Sequence, residues 1–579
     1  MKVSDYVIQF LESKKVEDIF TISGGGCMHL IDSLGKSNKI RYICNHHEQA
    51  TAMAMEGYAR LKGKPGVGIV TTGPGGTNTL TGVMGAWTDS IPCIFISGQV
   101  PTSQLKTGTG CRQVGDQEID IVSMVKGITK FSCAVMDGKD IKYALEKAYF
   151  EATTGRCGPV WVDIPLDVQS QTIKPEELCG YSPSYVAPVP TASQVRNICT
   201  QLKQAKKPLI VVGRGVRSSE HGIDALNKFL NITGMPVVTG AHSGVDVVNT
   251  SYDNYCGRIG VLGHRSSNQI VQQCDFLIVV GSRLGLKMTG YDFRSFAESA
   301  KYKAMVDIDI NEMRKPNILF DELVHSDAGV FFNELISNLK TYHPSDDVLS
   351  WRSHCAYLRS QEKFVLDHHK NVGEYCSNYC FVDEYSKIVD PAVPTITSNG
   401  SAHVVTLKGM SLTKKQRLFT NVGCASMGYG LPAAIGACVA TKSKVVCIEG
   451  DGSLQMNIQE LQTIKHYRLP VVLYVINNGG YLSIKLTQER YFNSKYVGTN
   501  ANSGVSCPSL ENISCAYGIK YLQIKSNSDI EKIVKQSLSC DGPVICEVFT
   551  DPTEKHEPRV VSIINEQGQF VAGKLTDME

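Results

Sequence analysis

The chain reads as an α/β protein made of three doubly wound parallel-sheet domains. Three observations predict this. Short apolar runs alternate with stretches of helical periodicity along most of the 579 residues. Several runs end in glycine-bearing turns, the place where open parallel sheets build their sites. A proline-bearing stretch, residues 181–190, and a polar, charged one, residues 341–370, break the alternation twice.

Composition sets the outer bounds. A hydrophobic content of 42% with 20% charged residues is that of a globular protein with ample core. The net charge of +2 gives no sign of a nucleic-acid partner. The chain has no apolar run of about eighteen residues and no signal-peptide pattern. A cytoplasmic protein without membrane contact is therefore expected. The 20 cysteines form no C-x₂-C pairs, which fits reduced thiols and argues against a disulfide framework or a zinc site.

The first third alternates strand and helix patterns. Val16 to Phe20 leads to Gly24-Gly25-Gly26, and Arg41 to Cys44 leads to His46-His47-Glu48-Gln49-Ala50 and a helix of small residues. Gly68 to Thr72 opens into Gly73-Pro74-Gly75-Gly76-Thr77-Asn78, and two further buried strands follow at Cys93 to Ser97 and Val160 to Ile164. Glu48 stands just after a strand, in the first turn of a helix. That position suits a catalytic carboxylate, and it equally suits a side chain that merely complements the helix dipole.

The middle third repeats the pattern, with strands at Pro208 to Val212, Pro236 to Val238, Asp275 to Val280 and Met305 to Asp309. Gly213-Arg214-Gly215 is too loose for a dinucleotide fingerprint and reads as a tight turn. His368-His369 reads as solvated helix surface. The tail from Lys555 to Glu579 reads as a lid over the site or as a frayed end.

The last third carries the most specific signal. Val445 to Ile448 is an apolar run that ends in Gly450-Asp451-Gly452-Ser453, and Leu454, Ile458, Leu461 and Ile464 recur at helical spacing. A second run, Val471 to Ile476, ends in Asn477-Asn478. The two strands are expected to be parallel neighbours joined by a right-handed crossover. Asp451 and Asn478 then lie together beyond their carboxyl ends, as hard oxygen ligands suited to Mg²⁺ shared with phosphate. The flanking glycines and the helix N-terminus favour a phosphate anion. Alone, each turn is an ordinary loop.

Together, Gly450-Asp451-Gly452 and Asn477-Asn478 resemble the diphosphate-metal motif of thiamine-diphosphate enzymes. His47 to Ala50, Glu56-Gly57-Tyr58-Ala59-Arg60 and Gly73-Pro74-Gly75 resemble the pyrimidine-binding domain of acetolactate synthase, and the likeness extends over essentially the whole chain. It implies a pyrimidine domain at 1–180, a central nucleotide-binding-like domain at 191–340, and a diphosphate and Mg²⁺ domain with the tail at 360–579. It implies thiamine diphosphate and Mg²⁺, the metal held by Asp451, Asn478 and the carbonyl of Gly480. Gly400, Ser401, Gly450, Gly452, Ser453 and Asn478 would approach the diphosphate, with Pro74 and Asn78 on the pyrimidine side. Met427 would lie beneath the thiazolium, although a core methionine is the plainer reading of that residue alone. Glu48 would hydrogen-bond the aminopyrimidine, which requires a buried carboxyl with a raised pKa.

Gln117 matches the glutamine of a Phe-Gln-Glu triplet near the reacting centre, where this chain has Asp116 in place of the aromatic. Leu486 falls at the place of a tryptophan that filters acceptors. The loop from Pro101 to Asp120 has no histidine, which argues against a simple 2-oxo-acid decarboxylase. The resemblance implies a carboligase that decarboxylates a 2-oxo acid, pyruvate foremost, and passes the two-carbon unit to a second carbonyl. The alternatives are a carboligase acting on a nucleotide-linked ketosugar in surface-polysaccharide synthesis, the simple decarboxylase, and a non-catalytic paralogue. The last would lack Glu48, Asp451 or Asn478, and all three are present. FAD in the central domain stays open, because the family's Phe-Asp-Asp-Arg continuation is missing after Arg283. A homodimer or homotetramer with its site between subunits is implied.

Overall fold

The computed structural model describes residues 1–579 apart from 318, 414, 565, 568 and 572. Three six-stranded sheets form the molecule, and every ladder within them is parallel. The first contains β1 (Asp18–Thr21), β2 (Arg41–Cys44), β3 (Gly66–Val70), β4 (Cys93–Gln99), β5 (Phe131–Ala134) and β6 (Pro159–Pro165), in the order β2-β1-β3-β4-β6-β5. The second contains β7 (Pro208–Val212), β8 (Val237–Gly240), β9 (Tyr255–Ile259), β10 (Phe276–Val280), β11 (Tyr302–Asp307) and β12 (Glu322–His325), in the order β12-β11-β10-β7-β8-β9. The third contains β13 (Thr395–Thr397), β14 (Leu418–Phe419), β15 (Val445–Gly450), β16 (Val471–Asn477), β17 (Lys520–Ile524) and β18 (Val544–Phe549), in the order β14-β13-β15-β16-β18-β17.

The first and third sheets therefore share one topology, while the middle sheet has the strand order of dinucleotide-binding folds. Central strands such as Pro-Leu-Ile-Val-Val in β7 and Phe-Leu-Ile-Val-Val in β10 are buried along their whole length. Helices cover both faces of a parallel sheet, so its strands read as unbroken apolar runs.

The first and third domains meet along two helices of small residues, Glu48–Lys62 and Gly430–Thr441. A Cβ on Gly57 would come within 2.2 Å of the Ala433 carbonyl oxygen, and one on Gly436 within 1.8 Å of that of Ala54. Glycine and alanine at this crossing let the backbones touch. Larger residues would hold the two domains apart.

The tail does not hang free. It starts beside the candidate site, where His556 pairs with the Ser401 hydroxyl, and its Ser562 carbonyl accepts from Tyr491 of the helix Leu482–Tyr491. It crosses to the middle domain, where Val560 donates to the Val261 carbonyl, Arg265 to that of Met578 and Asn268 to that of Leu575. Leu575 and Met578 are buried there. The His368-His369 pair also departs from expectation. His368 is exposed, but His369 is buried, stacked on Tyr379 with ring centroids 4.0 Å apart and 3.1 Å from the Glu557 carboxylate. Its Nδ1 accepts the Leu366 N–H, so its Nε2 carries the proton that faces Glu557. That tautomer ties the tail down and leaves no lone pair for a metal. No helix among the described residues is long and apolar enough to cross a membrane.

Candidate active site

In the third sheet the strand order reverses between β13 and β15, and the turns after these strands, with the turn after β16, converge. Asp451 opens a one-turn helix at the end of β15 and is 2% exposed. Its Oδ1 accepts the Gly452 N–H at 2.8 Å, and its Oδ2 accepts those of Gly479 and Gly480 at 3.0 and 2.9 Å. These bonds lock the β15 turn to the β16 turn. Burial nevertheless pushes the Asp451 carboxyl up to about 6, so it gains by meeting a cation.

Asn478 supplies the second donor. Its Oδ1 is buried without a partner, while its amide lies 3.5 Å from Ser401 Oγ. A buried amide oxygen left unbonded is costly, and a hard cation beside Asp451 would satisfy it. The donor set fits Mg²⁺. Gly480 sits at φ 129°, where a Cβ would come within 2.4 Å of the Thr499 carbonyl oxygen, so glycine is required.

Around this pair lie the other residues expected near a diphosphate. Gly400, at φ 63°, starts the helix Gly400–Gly409, and the Ser401 hydroxyl pairs with His556 Nε2 at 2.8 Å. Gly452 faces the Tyr481 ring, which a Cβ would strike at 2.4 Å, whereas Gly450 has only Ser453 Cβ nearby. The Ser453 hydroxyl is committed elsewhere. It accepts the Gly428 N–H at 2.9 Å and pairs with Ser398 Oγ at 2.9 Å. Ser453 thus props the residue next to Met427, which is itself half-buried.

The first sheet builds the second half. Asn78 donates its amide to Glu48 Oε2 at 3.0 Å. Pro74 opens the helix Pro74–Thr77, and Gly73 has φ 62° with the Gln117 carbonyl oxygen where a Cβ would stand, 2.4 Å away. Glu48, Pro74, Asn78 and Gln117 therefore gather at one end of the sheet. Gln117 has φ 64°, a strained conformation held because the buried Glu118 carboxylate accepts the N–H groups of Lys106 and Val114. Asp116 and Gln117 both face solvent. Glu48 is only half-buried, short of the burial that the role expected of it requires, and no element among the described residues covers it.

Sequence reasoning missed three residues that join the first and third domains within the chain. Glu460 accepts the Asn45 amide at 2.9 Å and the His46 N–H at 2.8 Å, fixing the approach to Glu48. Asn457 donates to Gln49 at 3.0 Å and to the Gly428 carbonyl at 2.8 Å. Asp89 bonds across to Gly423. The signal for the first two was present: polar residues on the inner side of the apolar helix that follows Asp451.

A cavity of about 550 Å³ opens among the three domains. Its floor is the switch point of the middle sheet, where the turn after β7, with Gly213 and Arg214, meets the turn after β10, with Gly281 and Arg283. Asp307, at the end of β11, lines it, its carboxyl pushed up to about 6 by burial.

This fold and site define a class. Residues 1–124 match the N-terminal TPP binding domain of thiamine pyrophosphate enzymes, 195–335 their central domain and 398–548 their C-terminal TPP binding domain. The chain belongs to the thiamine pyrophosphate enzymes. Within them it is similar to the acetolactate synthase isozyme 2 large subunit of Escherichia coli K12, 32% identical over 97% of each chain. It is likewise 31% identical to the chloroplastic acetolactate synthase of Arabidopsis thaliana, over 98% of this chain and 84% of that one. It is an acetolactate synthase-like, thiamine-diphosphate-dependent enzyme.

Proposed function

We propose that the enzyme is a Mg²⁺-dependent carboligase that decarboxylates a 2-oxo acid, pyruvate foremost, and passes the two-carbon unit to a second carbonyl. The observation that carries this reading is the buried, unbonded Asn478 Oδ1 beside the burial-raised Asp451 carboxyl, a donor pair that needs a cation. In this reading Asp451, Asn478 and the Gly480 carbonyl hold Mg²⁺. Gly400, Ser401, Gly450, Gly452, Ser453 and Asn478 surround the diphosphate, and Met427 supports the thiazolium. When bound, thiamine diphosphate supplies the electron sink that lets a 2-oxo acid lose carbon dioxide.

Glu48 holds or releases a proton at the aminopyrimidine, oriented by Asn78, with Pro74 shaping the same wall. Gln117 orients the substrates. A second copy of the chain would cover Glu48 and supply the burial its carboxyl needs, so a homodimer, or a tetramer of two such pairs, completes the site. The central cavity suits FAD: glycine turns and arginines for a pyrophosphate, and Asp307 for ribose hydroxyls.

Pyruvate also serves as the acceptor in the simplest case. Asp116 in place of the family's aromatic and Leu486 in place of its tryptophan favour a second reading, in which the acceptor is a hydroxyl-rich ketosugar linked to a nucleotide. The solvent exposure of Asp116 in one copy of the chain fits a plain surface residue equally. Purified protein given thiamine diphosphate, Mg²⁺ and ¹³C-pyruvate, followed by mass spectrometry, separates these readings. Labelled acetolactate supports the first. Carbon dioxide with little acetolactate, and a new product once a nucleotide-linked ketosugar is added, supports the second. Free acetaldehyde as the sole product, or no pyruvate consumption, contradicts the carboligase assignment.

A further inference from the structure

The segment that carries Met427 is held at both ends by one charged cluster of the first domain. At its start, Gly423 N–H donates to Asp89 Oδ1 at 2.9 Å. At its end, the Tyr429 hydroxyl donates to Glu56 Oε1 at 3.3 Å. The Arg60 guanidinium joins the two acceptors, donating to Glu56 Oε1 at 3.0 and 2.6 Å and to Asp89 Oδ2 at 2.6 Å. All three side chains are buried, at 0%, 3% and 9% exposure for Glu56, Arg60 and Asp89. The Phe419 ring lies 5.3 Å from the guanidinium and fixes its plane.

Such a clamp has work to do. Between its ends the backbone turns through two left-handed residues, Ala425 at φ 51° and Gly428 at φ 76°. A non-glycine residue at positive φ costs about 1–3 kcal/mol and persists only where its surroundings over-determine it. Ser453 and Asn457 of the third domain hold Gly428 and Asn399 donates to the Ala425 carbonyl at 3.2 Å, while the backbone N–H of Gly423 is held from the first domain, by Asp89.

We infer that Glu56, Arg60 and Asp89 are positioning residues that act through the Gly423–Tyr429 segment to set the height and rigidity of Met427. The inference rests on the thiamine-diphosphate reading for its consequence, though not for the clamp itself. Asp89 also lines the central cavity, as do Val422, Gly423, Cys424 and Ala425, so the back of the shelf forms a wall of that cavity.

Tyr429→Phe deletes one hydroxyl and spares the charged pair. Asp89→Ala removes the Gly423 acceptor, and Asp89→Asn retains a carbonyl oxygen there. Amide hydrogen exchange of the apoprotein, read peptide by peptide, tests the clamp without any cofactor. Exchange over residues 421–430 is expected to rise about fivefold in Tyr429→Phe, the loss of one hydrogen bond. It should rise further in Asp89→Ala and return most of the way in Asp89→Asn. In the reconstituted enzyme the same order is expected in kcat, with KM for pyruvate little changed. Wild-type exchange over 421–430 in both Tyr429→Phe and Asp89→Ala, with only a lowered melting temperature, overturns the inference. Wild-type protein that binds no thiamine diphosphate overturns the functional reading instead, since the exchange data stand apart from it.

Discussion

Asp451 accepts three backbone N–H groups on two oxygens and still sits beside an unbonded amide oxygen. In the proposed reading Asp451→Ala removes a metal ligand, and it also removes the lock between two turns. We expect retention of Mg²⁺ and thiamine diphosphate to fall by at least tenfold in equilibrium dialysis, and unchanged occupancy would remove Asp451 from the metal site. Glu48→Gln keeps the shape and the Asn78 contact but cannot exchange a proton. Turnover should fall by about 10²-fold or more with cofactor affinity nearly unchanged, measured by steady-state rates and calorimetric titration. Asp451, Asn478 and Glu48 were legible in the sequence because their turns carry a recognisable order of residue types. Asn457 and Glu460 left only a trace, as polar residues on the inner side of the apolar helix that follows Asp451, and the partners of those two and of Asp89 were not legible. Their role comes from contacts between distant parts of the chain, which no local pattern encodes.

At the scale of elements, the crossing of helices Glu48–Lys62 and Gly430–Thr441 decides how the first and third domains meet. Gly57→Ala would drive a methyl group to 2.2 Å from the Ala433 carbonyl. A loss of about 1–3 kcal/mol is expected in urea unfolding, and a neutral result would mean the crossing relaxes freely. A second test concerns pH. Asp163, at the end of β6, is buried, and burial pushes its carboxyl up to about 7 although Ser97 and Gln99 donate to it. The folded protein therefore keeps a proton that the unfolded chain, near its ordinary value of 3.8, has released. Folding takes up that proton, so this residue's contribution to stability falls as pH rises from about 4 to 7. Asp163→Asn should grow more stable relative to wild type over that window, by at most about 4 kcal/mol, read from unfolding curves at each pH. Central strands were legible because they are continuous apolar runs. Edge strands β5, β12, β14 and β17 escaped, being half-exposed or only two residues long, and β9 escaped although buried, because Gly257 and Arg258 interrupt its apolar run. Strand β18 is buried, but Glu547 interrupts its apolar run and serves as acceptor for Asn477 and Tyr521.

At the scale of the whole molecule, the three-sheet architecture followed from the alternation of patterns. The shared topology of the outer sheets and the cavity between domains did not, because both depend on how sheets are ordered and packed. The half-exposed Glu48 also belongs to this scale, since a single chain leaves it open to water. In the proposed reading the site is complete only when Glu48 of one copy meets Asp451 and Asn478 of another. The most direct test is to co-express Glu48→Gln and Asp451→Ala chains, isolate the mixed assembly, and assay carbon dioxide release from pyruvate beside each variant alone. Each variant alone should be inactive, whereas the isolated mixed dimer should carry one intact site of its two and show about half the wild-type activity per dimer. A mixed dimer that forms but stays as inactive as its parents would contradict a site shared between copies.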